Sequence, residues 1–494
     1  MKSSEKSSVK RYSCAYAFVL VLALFGVSCQ KSPETGQPAT GATPTPAASA
    51  GITPADIPPG FGYPGDRNEI QAWADAWTID KITQHTWDTW AGMTADSGQS
   101  FNGGQLPFWE TWCGTEEVFG GTCGKAAAPR ARPGRPFRIA SQLTHEAKLK
   151  GSTAAPGGIQ VVSFNKFNPS MAQYLQAQHP GPGTAGPYNY TSVSSLIALN
   201  AAWPASTPTV DRKVEESPYQ PTKPGAPGFA GIETKPVIFL VKATGLTPMP
   251  LWLGPANSTN QTNPTPDTWN TCVLLDPANT GGSDVAPVPA TPQQIASKVA
   301  SPSYGCKTYL YAPLATIYSF KMDAADAAAW NQLQNNGGTA AAGDFGVLAG
   351  MHVNSKEIIN WTWQTFWWQA GQDTPNNFPG SRSGMTANVK GAWRNYASCT
   401  AYNQTQGKTS TKMVVCFNPF LETSPTIPAG ITSNCMSCHG TATAAGSNNQ
   451  LKTLSYPASY TKPISFGEGS VPIDPMFTGY TRTDFSWAIP VNAK

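Results

Sequence analysis

One five-residue run constrains this chain more than any other feature: Cys435-Met436-Ser437-Cys438-His439. It reads C-x-x-C-H, the spacing at which a c-type haem is attached. Two thiols three positions apart can form thioethers to the vinyl groups of one porphyrin. The histidine after the second thiol then reaches the iron as proximal ligand. The same residues admit other readings. A dithiol redox pair would sit beside a compact βαβ pattern, and none is visible here. Half of a structural zinc site would be joined by a second close ligand pair, and none appears. Either cysteine could be one arm of an ordinary disulfide. The expectation is one haem c, held by Cys435 and Cys438, with His439 on the iron.

The N-terminus supplies the compartment that such chemistry needs. Lys2, Lys6, Lys10 and Arg11 form a positive region ahead of the apolar run Cys14 to Val27. That run has the length of a signal peptide and is too short for a membrane span. It ends Val27-Ser28-Cys29, which resembles a lipoprotein cleavage site with Cys29 as the lipidated residue. Val27 and Ser28 fit, whereas Gly26 stands where leucine is usual. The alternative is cleavage nearby and a free periplasmic protein. A stretch rich in Pro, Thr and Ala follows to residue 55 and has the composition of a tether. The reading is therefore a signal peptide over 1–28 and a linker over 29–55. It places the protein in the bacterial periplasm, anchored to a membrane through lipid on Cys29, the outer membrane included.

Ten cysteines are present. Setting aside Cys14 and Cys29 in the export segment and the pair in C-x-x-C-H leaves Cys113, Cys123, Cys272, Cys306, Cys399 and Cys416. An even remainder in an exported chain suggests disulfides, and sequential pairing (113–123, 272–306, 399–416) closes the shortest loops. The net charge is +4, most of it in the leader, so the body of the chain is near neutral. Nothing in that balance favours a nucleic-acid partner.

Charged residues are only 13%, beside 46 glycines and 45 prolines. This composition predicts an irregular, loop-rich α+β protein with two domains: a Trp-rich mixed domain over 56–340 and a haem-binding region over 341–494. Residues 55–112 read as helical, with Ile70, Trp73 and Trp77, then Trp87 and Trp90, at helical spacing and packed as core. Strands are expected at 137–139, 159–164, 236–243, 251–253 and 308–321, and a helix over 323–333. The run from Phe345 reads as a strand leading to His352 and a dense tryptophan cluster.

Five blocks, LPFWETW (106–112), GMHVNSKEIINWTWQTFWW (350–368), WRNYASCTAYNQT (393–405), SNCMSCHGTA (433–442) and TDFSWAI (483–489), occur in this order. Together they resemble a poorly characterised family of exported bacterial single-haem cytochrome c proteins. That family carries a His-x-x-x-Lys-Glu-Ile-x-x-Trp-x-Trp motif well before C-x-x-C-H. The resemblance implies a cytochrome c and leaves its physiological role open.

The sixth iron position decides what such a protein does. His352 is the foremost candidate, in an aromatic setting suited to a porphyrin face; the alternative is a buried histidine bonded to Glu357 or to backbone. Met476 follows the haem motif as a distal methionine would. Met351, an open site, His85 and His145 are further alternatives. Glu357 is the candidate acid–base group, against a plain Lys356–Glu357 pair at a helix start. The expected function is single-electron transfer to a redox partner protein in the periplasm. A haem-dependent, peroxidase-like oxidoreductase with an open distal site is the alternative, as is a haem-based sensor or structural lipoprotein.

Overall fold

The computed structural model describes residues 51–123, 129–140, 142–143, 161–179, 186–202, 231–299, 304–333, 338–369, 378–424, 427, 429–447, 450–455, 459–466 and 472–494. The expected leader, Cys29, most of the linker and His145 lie outside them. The architecture is α+β, as the composition predicts.

An eight-stranded antiparallel sheet organises the molecule. Its strands are β1 (Cys113–Gly114), β2 (Val161–Ser163), β3 (Lys166–Phe167), β4 (Ile232–Val241), β5 (Ser319–Lys321), β6 (Phe345–Ser355), β7 (Thr362–Trp368) and β8 (Tyr396–Thr400). The central pair β4 and β6 runs from Ile232↔Ser355 to Val241↔Phe345, with a bulge between Leu348 and Gly350. Both strands are buried almost throughout, which is why residues 236–241 and 345–351 are continuous apolar runs. Pro236 sits in the middle of β4 and cannot donate to a ladder. It falls in the gap between β3, which pairs with 233–234, and β2, which pairs with 237–239. The boundary expected near residue 340 lies inside this sheet, since β4 and β6 come from either side of it.

One face of the sheet is covered by helix α2 (Ile79–Thr94), against which α1 (Arg67–Ala76) packs through Ile70 and Ala74. Asp66 caps α1 by accepting from the backbone of Asn68 and Glu69. Trp90 of α2 stacks on Phe366 of β7 at 4.0 Å between ring centroids, and Trp87 meets the same ring edge-on at 5.5 Å. These tryptophans are core, as expected; Trp73 and Trp77 are only half-buried. Helix does not continue to Trp112. Asp96–Phe101 and Gly104–Pro107 form a hairpin instead. Its turn residues Asn102 and Gly103 have φ of 50° and 80°, the left-handed pair that an Asn-Gly hairpin turn demands.

The expected strand at 236–243 is the later part of β4. The span 251–253 is not a strand, and 308–321 breaks into Thr308–Pro313, a 3-10 turn and β5. A helix forms over Ala324–Gln332, capped by Asp323. A second sheet, of four strands between residues 247 and 313, carries Cys272–Cys306. The other disulfides join Cys113 to Cys123 and Cys399 to Cys416, the sequential order. Cys435 and Cys438 stand outside all three. No helix among the described residues is long and apolar enough to cross a membrane.

Candidate functional site

The sheet face opposite α2 forms the floor of a cavity. Alternation along the strands puts Glu233 and Lys235 of β4 and His352 and Asn354 of β6 on that floor. Lys235 is the register partner of His352, and Glu233 that of Asn354. Cys435, Cys438 and His439 form one wall, on helix α3 (Cys435–Gly440). A second wall is helix α4 (Ala488–Asn492), preceded by Trp487.

Helix α3 is fixed by its polar and small residues. Asn434 is its N-cap, accepting from the Ser437 backbone at 3.1 Å and donating to the Val414 carbonyl at 2.7 Å. Losing such a cap costs about 1 kcal/mol. Ser437 donates to Gln404 at 3.1 Å. Gly440 lies where a Cβ would stand 2.1 Å from the Phe466 ring, so only glycine lets the helix pack there. Met436, Ser437 and Gly440 are therefore buried, and Cys435, Cys438 and His439 are left half-buried toward the cavity.

The His439 ring lies 4.4 Å, centroid to centroid, from Trp363 of β7. Its Nδ1 is 2.9 Å from the Phe485 carbonyl. A carbonyl only accepts, so Nδ1 carries the proton and Nε2 keeps its lone pair. Burial pushes the imidazole pKa down to about 3, with nearby His352 and Lys235 adding to the effect, so the ring is neutral. His352 follows the same pattern: its Nε2 is 3.0 Å from Glu422, whose other oxygen accepts from the Asn418 backbone at 2.6 Å. With Nε2–H donated to a carboxylate, Nδ1 is the nitrogen with a lone pair. Burial also acts on Lys235, lowering it to about 8 against the pull of Glu422 and Glu233, and it raises Glu233. The Cys435 thiol is pushed up by burial and lies 3.8 Å from the Cys416 sulfur.

Of the residues expected at a haem site, the structure thus brings together Cys435, Cys438, His439 and His352. It does not bring Met476, which sits in a 3-10 turn, Pro475–Phe477, packed against the core away from the cavity lining. Met351 points to the other sheet face, one residue out of phase with His352. Glu357 is also on that other side, fully buried and bonded to His85 at 3.2 Å, to the Gly65 backbone at 2.7 Å and to Ser355. It is not part of the cavity lining, so the acid–base role expected of it has no geometric basis. His352 is bonded to Glu422 rather than to Glu357. Lys356 and Glu357 lie in a turn after β6 rather than at a helix start, and Lys356 pairs with Asp484 at 2.8 Å. Glu422, Phe485 and Lys235 escaped sequence reasoning because strand register and a distant turn bring them in.

Among the described residues no group of three or more His, Cys, Asp or Glu side chains could hold a metal ion by itself. Comparison of the chain with protein-family models, curated proteins and solved structures gives no match.

Proposed function

We propose that this protein is an exported mono-haem c-type cytochrome that transfers single electrons to a periplasmic redox partner. The observation that carries the reading is the meeting of the C-x-x-C-H helix and His352 on the lining of one cavity. The donor set suits the group. Cys435 and Cys438, the two cysteines outside the disulfides among the described residues, would bond the porphyrin vinyls, and His439 would offer Nε2 to the iron. The porphyrin brings its own ring of nitrogens, so the protein need supply only the axial ligands. Haem bound here supplies a one-electron iron couple.

The chain's own part is to orient those ligands. Metal-ligating histidines usually donate their second ring nitrogen to a carbonyl or carboxylate. His439 does so to Phe485 and His352 to Glu422. We take His352 as the sixth ligand, through Nδ1. Lipid on Cys29 would anchor the protein to a membrane in the periplasm.

A second reading rests on the floor of the cavity. Glu233, Lys235, His352 and Glu422 are titratable groups that could hold and move protons beside an open distal position, as a haem oxidoreductase would need. The absorption spectrum of the reduced protein, made with a cytochrome c maturation system, separates the two. A c-type spectrum unmoved by carbon monoxide is expected. A shifted spectrum would overturn six-coordinate electron transfer and favour the second reading.

A further inference from the structure

The residues that hold His439 in place lie on a strained turn. Asp484 and Phe485 have φ of 47° and 65°, in succession, although both carry side chains. Each such residue costs on the order of 1 kcal/mol or more and persists only where its surroundings over-determine it. The turn is reached by the strand Thr481–Arg482, which pairs with Thr443–Ser447 just after α3. The strained backbone aims the Phe485 carbonyl at Nδ1 of His439.

What opposes the strain is a buried ion pair. Lys356, in the turn just after β6, donates to Asp484 at 2.8 Å and to the Ile359 carbonyl at 2.7 Å. Both side chains are at most 4% exposed. Asp484 keeps its second oxygen buried without a hydrogen-bond partner. Such a pair is a poor source of net stability, because desolvation offsets the attraction. It is a good way to fix geometry, since a turn residue tied to a sheet residue cannot relax to negative φ without stranding two buried charges.

We propose that the Lys356–Asp484 pair is a positioning device for His439, locking the Asp484–Phe485 turn so that the Phe485 carbonyl sets the tautomer and orientation of the imidazole. The role of His439 as iron ligand rests on the reading above; the locking of its ring does not.

The test compares two double variants of the full chain, K356M/D484A and K356M/D484G. Both remove both charges, but only glycine takes positive φ without strain. The first readout is the ring-nitrogen chemical shifts of His439 before haem loading. K356M/D484G should keep the single Nδ1–H tautomer of the parent, and K356M/D484A should show a mixture. The second readout is the midpoint potential of the haem-loaded chains. Loss of the Phe485 hydrogen bond makes the imidazole a weaker donor, so K356M/D484A should move to more positive potential while K356M/D484G stays near the parent. If K356M/D484A does not fold, K356M/D484S takes its place beside K356M/D484G, since serine also resists positive φ, and the same contrast is expected. Identical behaviour of the two variants in the first readout would overturn it. A parent chain that takes up no covalent haem would break the cytochrome reading instead, and the imidazole shifts would still decide the lock.

Discussion

Two histidine–glutamate pairs sit on opposite faces of the same strands and differ in what lies beyond them. On the α2 face, His85 joins Glu357, and both ring nitrogens and both carboxylate oxygens are engaged. Tyr402 meets Nδ1 at 2.7 Å, Gln364 donates to Tyr402 at 2.8 Å, and Gly65 and Ser355 fill the carboxylate. On the cavity face, His352 joins Glu422 beside a space lined by two thiols and His439, and its other nitrogen has no hydrogen-bond partner among the described residues. The first arrangement is closed and ties a helix to a sheet. The second is a histidine held by one nitrogen and available by the other. The difference teaches that a buried His–Glu contact says little about function until the fate of the second nitrogen is known.

The comparison can be broken most severely at the thiols. Cys435→Ala together with Cys438→Ala should abolish covalent haem while leaving a folded chain, checked by haem staining after denaturing electrophoresis and by circular dichroism. Covalent haem surviving the double change would refute the site. Next comes His85→Ala, which strands Glu357 in the core. It should cost about 3–5 kcal/mol in denaturant unfolding, yet leave the haem spectrum and carbon monoxide response as in the parent. A changed spectrum would mean that the closed network reaches the cavity.

His352→Ala should act the other way round. Its stability cost is smaller, about 1–3 kcal/mol, but it should open the iron to carbon monoxide. An unaltered spectrum and potential would remove His352 as axial ligand. The mildest effect sharpens the comparison through pH. Burial lowers the His85 pKa, but Glu357 outweighs it and holds the value above 6.5; Glu357 in turn sits below 4.5 despite its burial. The histidine's contribution is full below 6.5 and lost as pH rises through the raised value. The glutamate's is present above 4.5 and lost as pH falls through the depressed one. Thermal melts should therefore peak between these limits, and His85→Gln with Glu357→Gln should flatten the profile. An unchanged profile would show that other groups set it.

Legibility in the sequence followed the range of the interactions. C-x-x-C-H was readable because its chemistry is packed into five residues on one short helix. The hairpin at residues 96–107 was also readable in principle, since Asn102-Gly103 is a strong local turn signal, but the tryptophan spacing around it suggested helix. Glu422, Lys235 and Phe485 were not readable. Lys235 faces His352 only because of the β4–β6 register, which a bulge at Leu348/Gly350 shifts by one residue. Glu357 was misplaced because it lies in the turn after β6, two residues beyond Ser355, whose side chain is on the face opposite His352. The boundary near 340 rested on composition, and composition does not reveal that a strand from each side will pair.

The central claim is that the cavity wall at Cys435 and Cys438 carries a haem. The most direct measurement is the mass of the intact protein made in a strain with cytochrome c maturation, followed by peptide mapping. The account predicts an increase of one haem, retained after denaturation and located on the peptide holding Cys435 to His439. A folded, exported chain with both thiols unmodified would contradict it.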